Sequence, residues 1–299
     1  MVPWTVTRLR PQLRVALLPL VCAVVTASAD DAAAFCRSTT CKGASCGVDA
    51  QDCPASGAKL WWRTACVGYS LQRNGTQNLP MDKVKEAVRG AFQAWSDVDC
   101  GSGKSASMTF GERPDTGCIT SEFNSGGPNV NVLIFRDNDW AYKNADNTLA
   151  KAIAHYDGKT GEILDADIEV NTASNHFTLT NKNAQFDLQT VLTHEVGHFL
   201  GLSHSSDPSA VMYASYERGS VQGRKLAPDD IAALCTAYPP ERIASCDLTP
   251  SGGFDTCAKA APTSMCGAAR PDASGSGWLP MLLMLLVLVG YRARAKDFR

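Results

Sequence analysis

An α+β fold is what the sequence predicts, and three observations predict it. Short runs of aliphatic, β-branched and aromatic residues fill the stretch up to Val170, interrupted by one amphipathic helix. A second helix with clear periodicity follows at 188–200. A loop-rich stretch then leads to a closing helix, and strands first with helices later is α+β organisation.

The elements follow in chain order. Leu60–Arg63 and Cys66–Leu71 are rich in aromatic and β-forming residues and read as an opening strand or strand pair. Asn74-Gly75 marks a turn. Pro80–Ser96 is a helix, because Val84, Val88, Phe92 and Trp95 fall on one face, with Asp82 as its N-cap. Ala106–Phe110 and Val130–Phe135 are strands, the second almost wholly apolar and therefore central. Leu149–Tyr156 and Ile163–Val170 are further strands, separated by the turn Asp157–Gly161. In 188–200, Leu188, Val191, Leu192, Glu195 and Phe199 recur at helical spacing, and Asp187 can cap the start. Pro228 suits a first helical turn, and the helix it opens buries Ile231, Leu234 and Tyr238.

The two ends carry addresses. Arg8, Arg10 and Arg14 precede an apolar run, Val15–Val25, and the small residues Ala27-Ser28-Ala29. That order is a secretory signal peptide spanning 1–29. At the other end, Trp278–Gly290 is apolar but shorter than the ~20 residues a membrane span needs, and Arg292, Arg294 and Lys296 follow. The partition is a Cys-rich N-terminal extension at 30–58, a main domain at 59–240, a Cys-containing linker at 241–277 and a tail at 278–299. With 28 Lys+Arg against 30 Asp+Glu the net charge is −2, so no nucleic acid is expected as a partner.

Twelve cysteines are many for a reduced compartment. Setting aside Cys22 in the signal and Cys266 before the tail leaves ten, an even number suited to full disulfide pairing. Four of them crowd into 36–53, a segment too poor in apolar residues to make a core, so it reads as disulfide-stapled. Its spacings do not match common zinc patterns.

The chemistry is concentrated in His194-Glu195-Val196-Gly197-His198. Histidines at i and i+4 project from one helix face, so two imidazoles can reach one ion. Glu195 lies between them, placed to deprotonate water rather than to bind metal. Such a pentad arises by chance in roughly one chain in a hundred of this length, so alone it is a moderate signal. The continuation decides more. Gly201 can take the left-handed conformation that ends the helix and turns the chain, bringing His204 to the same ion. Three imidazoles with one open position make a catalytic zinc site. Met212 follows in Ala210-Val211-Met212-Tyr213, a downstream Met-turn.

With these residues the chain resembles the metzincins, and among them the matrixins, the family of the matrix metalloproteinases. Ser205 after the third histidine and the run His204–Tyr213 carry the resemblance, which extends over Leu60–Pro240. Ala214 stands where astacins place a metal-binding tyrosine. The resemblance implies a mixed twisted β-sheet with about three helices, the active-site helix at 188–200, and a Met-turn. It implies that His194, His198 and His204 bind one catalytic zinc, that Glu195 is the general base, and that Met212 floors the site. It also implies that Tyr216 walls the pocket for the residue after the scissile bond, and that the strand around Thr148–Ile153 pairs with extended substrate. Cys266, the linker and the basic-ended tail resemble the sorting tails of myxobacterial surface proteins, which implies a bacterial surface or released protein with transient membrane attachment.

Three departures from the family pattern stand out. No cysteine-switch propeptide pattern is found, so export in active form and latency through 30–58 are both open. At the family's second zinc position His155 is present, but Asp167 stands where a later histidine ligand is expected, so His155 is expected to be solvated. Asp165, Asp167 and Glu169 form an acidic run that is a calcium candidate, since hard cations take carboxylate oxygens; a metal-free acidic turn is the alternative. His176 is expected to be simply exposed.

The expectation is a secreted, monomeric zinc endopeptidase acting on extended polypeptides. The rivals are a surface zinc-binding or adhesion module without turnover, and a protease whose substrate is its own N-terminal segment.

Overall fold

The computed structural model describes residues 34–257, apart from 144–147 and 181–184. The expected signal peptide, the C-terminal tail, Cys22 and Cys266 lie outside the described residues. Among those described, no helix is long and apolar enough to cross a membrane.

Strands β1 (Cys66–Leu71), β2 (Thr109–Glu112), β3 (Val132–Phe135), β4 (Ala150–Tyr156) and β5 (Ile163–Val170) form one sheet in the order β2-β1-β3-β5-β4. The first four in that order run parallel, and β4 closes the edge antiparallel to β5. The sheet is mixed, as expected. Its inner strands β1 and β3 are buried at every position, which is why their sequences show no polar alternation. A short pair, β6 (Phe177–Thr178) and β7 (Phe186–Asp187), precedes the second helix.

Helices α1 (Met81–Ser96) and α2 (Leu188–Phe199) pack against one face of the sheet, and α3 (Pro228–Ala237) closes the domain. Val84, Val88, Phe92 and Trp95 are all buried, as their spacing requires. Trp95 Nε1 donates to Thr193 O at 2.9 Å and ties α1 to α2. Tyr69 stacks on Phe92 with centroids 3.9 Å apart.

Three local readings are corrected. Asp82 does not cap α1: the helix opens at Pro80 without a side-chain cap, and Asp82 lies inside its first turn. The strand expected at 106–110 begins at Thr109, because Ala106 N and Ser107 N donate to Val98 O and Tyr238 O instead. Leu60–Arg63 is no ladder strand; Trp61 makes one isolated bridge, to Glu162.

All ten cysteines pair, as Cys36–Cys53, Cys41–Cys46, Cys66–Cys246, Cys100–Cys235 and Cys118–Cys257. Two of the bridges bind 241–257 to the domain. That part of the expected linker is packed structure: Phe254 covers a second small core of Cys118, Val130, Val132 and Ile134 on the other face of the sheet.

Candidate active site

Helix α2 starts where expected. Asp187 accepts from Thr190 N at 2.9 Å as the N-cap, satisfying one of the free amides of the first turn. The helix carries His194 and His198 one turn apart and stops at Gly201, which has φ +83. A side chain there would be strained and would crowd Leu60 O, so the turn depends on glycine. The chain then doubles back and brings His204 to the other two histidines, whose ring centroids lie 5.3 and 4.9 Å from its own.

One nitrogen from each of the three rings lies within 4.8 Å of the others. The opposite nitrogens of two rings are already committed: His194 Nδ1 meets Val211 O at 2.7 Å and His198 Nδ1 meets Leu202 O at 2.9 Å. Bonds of that kind fix tautomer and ring orientation in metal-binding histidines. Burial lowers the His194 pKa to about 4 and the His198 pKa to about 3, with neighbouring histidines adding to the effect, and His204 is lowered by burial too. Three neutral, convergent imidazoles fit a single zinc ion and leave room for a further ligand.

Glu195 faces the edge strand. Its Oε2 accepts from Ala152 N at 2.8 Å, and the residue is 6% exposed. Burial pushes its pKa up to about 7, which the Ala152 bond opposes. The cleft between β4 and α2 has a volume of about 780 Å³ and is lined by Ala150, Lys151, Val191, Glu195 and Tyr216, among others.

Met212 is 1% exposed, with its Sδ against Gly197 of the helix. Two residues that hold it were missed from sequence. At Gly197 a Cβ would collide with Met212 Sδ and crowd Trp95. Asp230, wholly buried, accepts from Val211 N at 2.8 Å and Met212 N at 3.0 Å, and from Ala227 N at 2.9 Å. The Asp229-Asp230 pair is visible in sequence, but nothing local shows that the second carboxylate holds a turn some 18 residues earlier.

Tyr216 packs on Phe186 at 5.7 Å, donates to Ser220 O and accepts from Asp187 N. Arg224 pairs with the wholly buried Asp187 side chain. The loop beyond Tyr216 is thereby fastened to the start of α2.

Among the described residues no three carboxylates of the acidic run gather as a metal-sized cluster, although Asp165 and Asp167 face each other. Glu169 is paired with Arg136 and Ser121, and Asp167 accepts from Val132 N. Asp165 is buried with neither oxygen hydrogen-bonded. Burial raises the pKa of both Asp165 and Asp167, and their mutual repulsion adds to it for Asp167. His155 is half-buried rather than solvated: it stacks on Phe123 at 5.6 Å, and its Nε2 lies 3.4 Å from Ser121 O. His176 is exposed. Cys118, Asp255 and Cys257 also lie close together, but the two cysteines are joined as a disulfide.

A mixed sheet with an antiparallel edge strand, facing a helix whose two histidines meet a third beyond a glycine turn, defines the class: an α+β domain built around a three-histidine metal site. The sequence profile of the matrixin family, Peptidase M10, matches residues 61–239, and the chain belongs to that family. It is 30% identical to human matrix metalloproteinase-20 over 186 residues, covering 61% of this chain and 33% of the relative. It is 30% identical to human matrix metalloproteinase-16 over 190 residues, 61% of this chain and 28% of the relative. Human neutrophil collagenase is 28% identical over 195 residues, 64% of this chain and 35% of the relative. The chain spans about a third of the length of these curated relatives.

Proposed function

We propose that the chain is a secreted endopeptidase that cuts extended polypeptides, with His194, His198 and His204 holding one catalytic zinc. The observation that carries this reading is the placement of Glu195 between the three-histidine cluster and the backbone of β4. Zinc, when bound, supplies Lewis-acid polarisation of a carbonyl and lowers the pKa of water. The remaining roles belong to the chain. Glu195 takes the proton of the attacking water and returns it to the leaving amine. The Ala152 amide orients the carboxylate. β4 is an edge strand, so its free backbone groups can add a substrate strand through sequence-tolerant hydrogen bonds. Tyr216, locked by Ser220 and Asp187, forms a fixed wall for one substrate side chain. Met212 packs under the rings and binds no metal.

Export agrees with five disulfides, which need an oxidising compartment. The signal peptide at 1–29 supplies the route, and the tail at 278–299 supplies surface sorting with transient membrane attachment.

The test is cleavage of a denatured protein by the purified chain beside Glu195→Ala, with zinc content determined for both. Cleavage by the wild type, and retention of zinc without cleavage by the variant, is the expected result. A wild type that holds zinc and cuts nothing would sink the reading in favour of a binding module.

A further inference from the structure

We infer that the stapled segment from Ala34 to Cys53 is a positioning strap for the third histidine, and that the Cys36–Cys53 bridge governs how firmly the site keeps its metal. This rests on the reading of His194, His198 and His204 as zinc ligands.

The observation is a difference between the histidines. His194 and His198 stand on a helix, and each has a ring nitrogen fixed by a carbonyl. His204 stands on the loop after Gly201, is exposed, and among the described residues has no such carbonyl. Its position is set by its backbone. On the inner side that backbone is held by Leu202 N to Gly197 O and Ser205 N to Met212 O. On the outer side the strap holds it. Ser38 N donates to Gly201 O at 2.9 Å, Ser203 N to Cys36 O at 2.9 Å, and Ser206 N to Ala34 O at 3.2 Å. Arg37 bridges Leu202 as a short antiparallel pair. Ser38 Oγ donates to Leu202 O at 3.0 Å, the same carbonyl that orients His198.

The strap's end is fastened as well. Ala34 N and Phe35 N share Asp229 Oδ1, while Asp229 Oδ2 accepts from Ser205 Oγ, next to His204. Cys36 lies in the middle of these contacts, buried at 5% exposure and bonded to Cys53. The segment has little apolar surface of its own, so the covalent bond does what a core would otherwise do. Cys41–Cys46 closes a smaller loop of the same segment, five positions apart, and serves as an internal control.

Loosening the strap frees His204, and loss of outer support of this kind costs roughly ten- to a hundredfold in metal affinity.

The experiment measures zinc release to a competing chelator from the full protein, from Cys36→Ser/Cys53→Ser, from Cys41→Ser/Cys46→Ser, and from Ser38→Ala. Release from the Cys36/Cys53 variant is expected about tenfold faster than from wild type, at the low end of that range. The Cys41/Cys46 variant is expected within about twofold of wild type. Ser38→Ala keeps both staples and folds whatever the fate of the cysteine variants; a severalfold acceleration is expected from it. Unchanged release from Ser38→Ala and Cys36→Ser/Cys53→Ser overturns the inference, as does equal acceleration by both staple removals. A wild type that takes up no zinc overturns it together with the ligand assignment. A wild type that keeps zinc but cuts no peptide counts against the peptidase reading alone.

Discussion

Gly197 is the residue whose side chain matters by its absence. It lies between the glutamate and the second histidine, and its bare backbone lets Met212 Sδ sit against the helix. Gly197→Ala is expected to lower stability by about 1–3 kcal/mol, as overpacking of a filled core does, and to weaken zinc retention. Denaturant unfolding and zinc titration measure the two effects; an unaltered Met212 environment with unchanged stability would contradict the packing account. At this scale the convergence of His194, His198 and His204 was legible, because helical spacing puts i and i+4 on one face and Gly201 turns the chain back. Gly197 and Asp230 were not, because their work is done on residues distant in sequence. Asp82 misled for a local reason: Pro80 already supplies the extended residue from which the helix starts.

Helix α2 depends on Asp187 in two ways. The carboxylate caps the first turn and pairs with Arg224 at the foot of the pocket loop. Asp187→Ala is expected to cost about 1–2 kcal/mol from the cap alone, and more from leaving Arg224 unpaired. The loop carrying Tyr216 should loosen with it. Peptide kinetics should therefore show a larger change in KM for substrates bulky after the scissile bond than for small ones, and a uniform loss would argue against the loop's role. Strand β5 carries a different liability. Asp165 and Asp167 lie on its second face, and both have pKa values raised by burial. The folded chain thus binds more protons than the unfolded one above the ordinary carboxylate pKa of about 4. Stability is fully present below that value and falls as pH rises through the raised ones. Below about 6.5, the ordinary imidazole value, the lowered His194 and His198 act in the opposite sense, so denaturation midpoints of the chelator-treated protein should decline from neutral to mildly alkaline pH, and Asp165→Asn should flatten that decline. Calcium that raised the alkaline midpoint would instead support the cation reading of this acidic run. β5 was legible to the residue, since Ala166, Ile168 and Val170 alternate with the acids. The β2 start was not, because backbone amides of Ala106 and Ser107 are claimed by distant carbonyls.

Across the whole molecule, the even cysteine count foretold complete pairing but not the partners, which the fold alone decides. Residues 241–257 show why composition misjudged them: they are short of apolar residues, yet two bridges and Phe254 press them onto the sheet. Removing Cys118–Cys257 frees a loop of sequence separation 139, for which chain-entropy reasoning gives about 4–5 kcal/mol. Cys118→Ala/Cys257→Ala should therefore lower the unfolding midpoint far more than Cys41→Ser/Cys46→Ser, and equal losses would contradict the role given to 241–257.

The same bridges set a timetable for birth. A chain emerging from its amino end can close Cys41–Cys46 and Cys36–Cys53 almost at once, across separations of 5 and 17. Cys66, Cys100 and Cys118 must wait for partners 180, 135 and 139 positions later. The staple is thus finished long before the third histidine exists, and a ready-made edge greets that loop as it arrives. A chain stopped between positions 118 and 235 holds Cys66, Cys100 and Cys118 without their partners, while both staples of the strap are already closed.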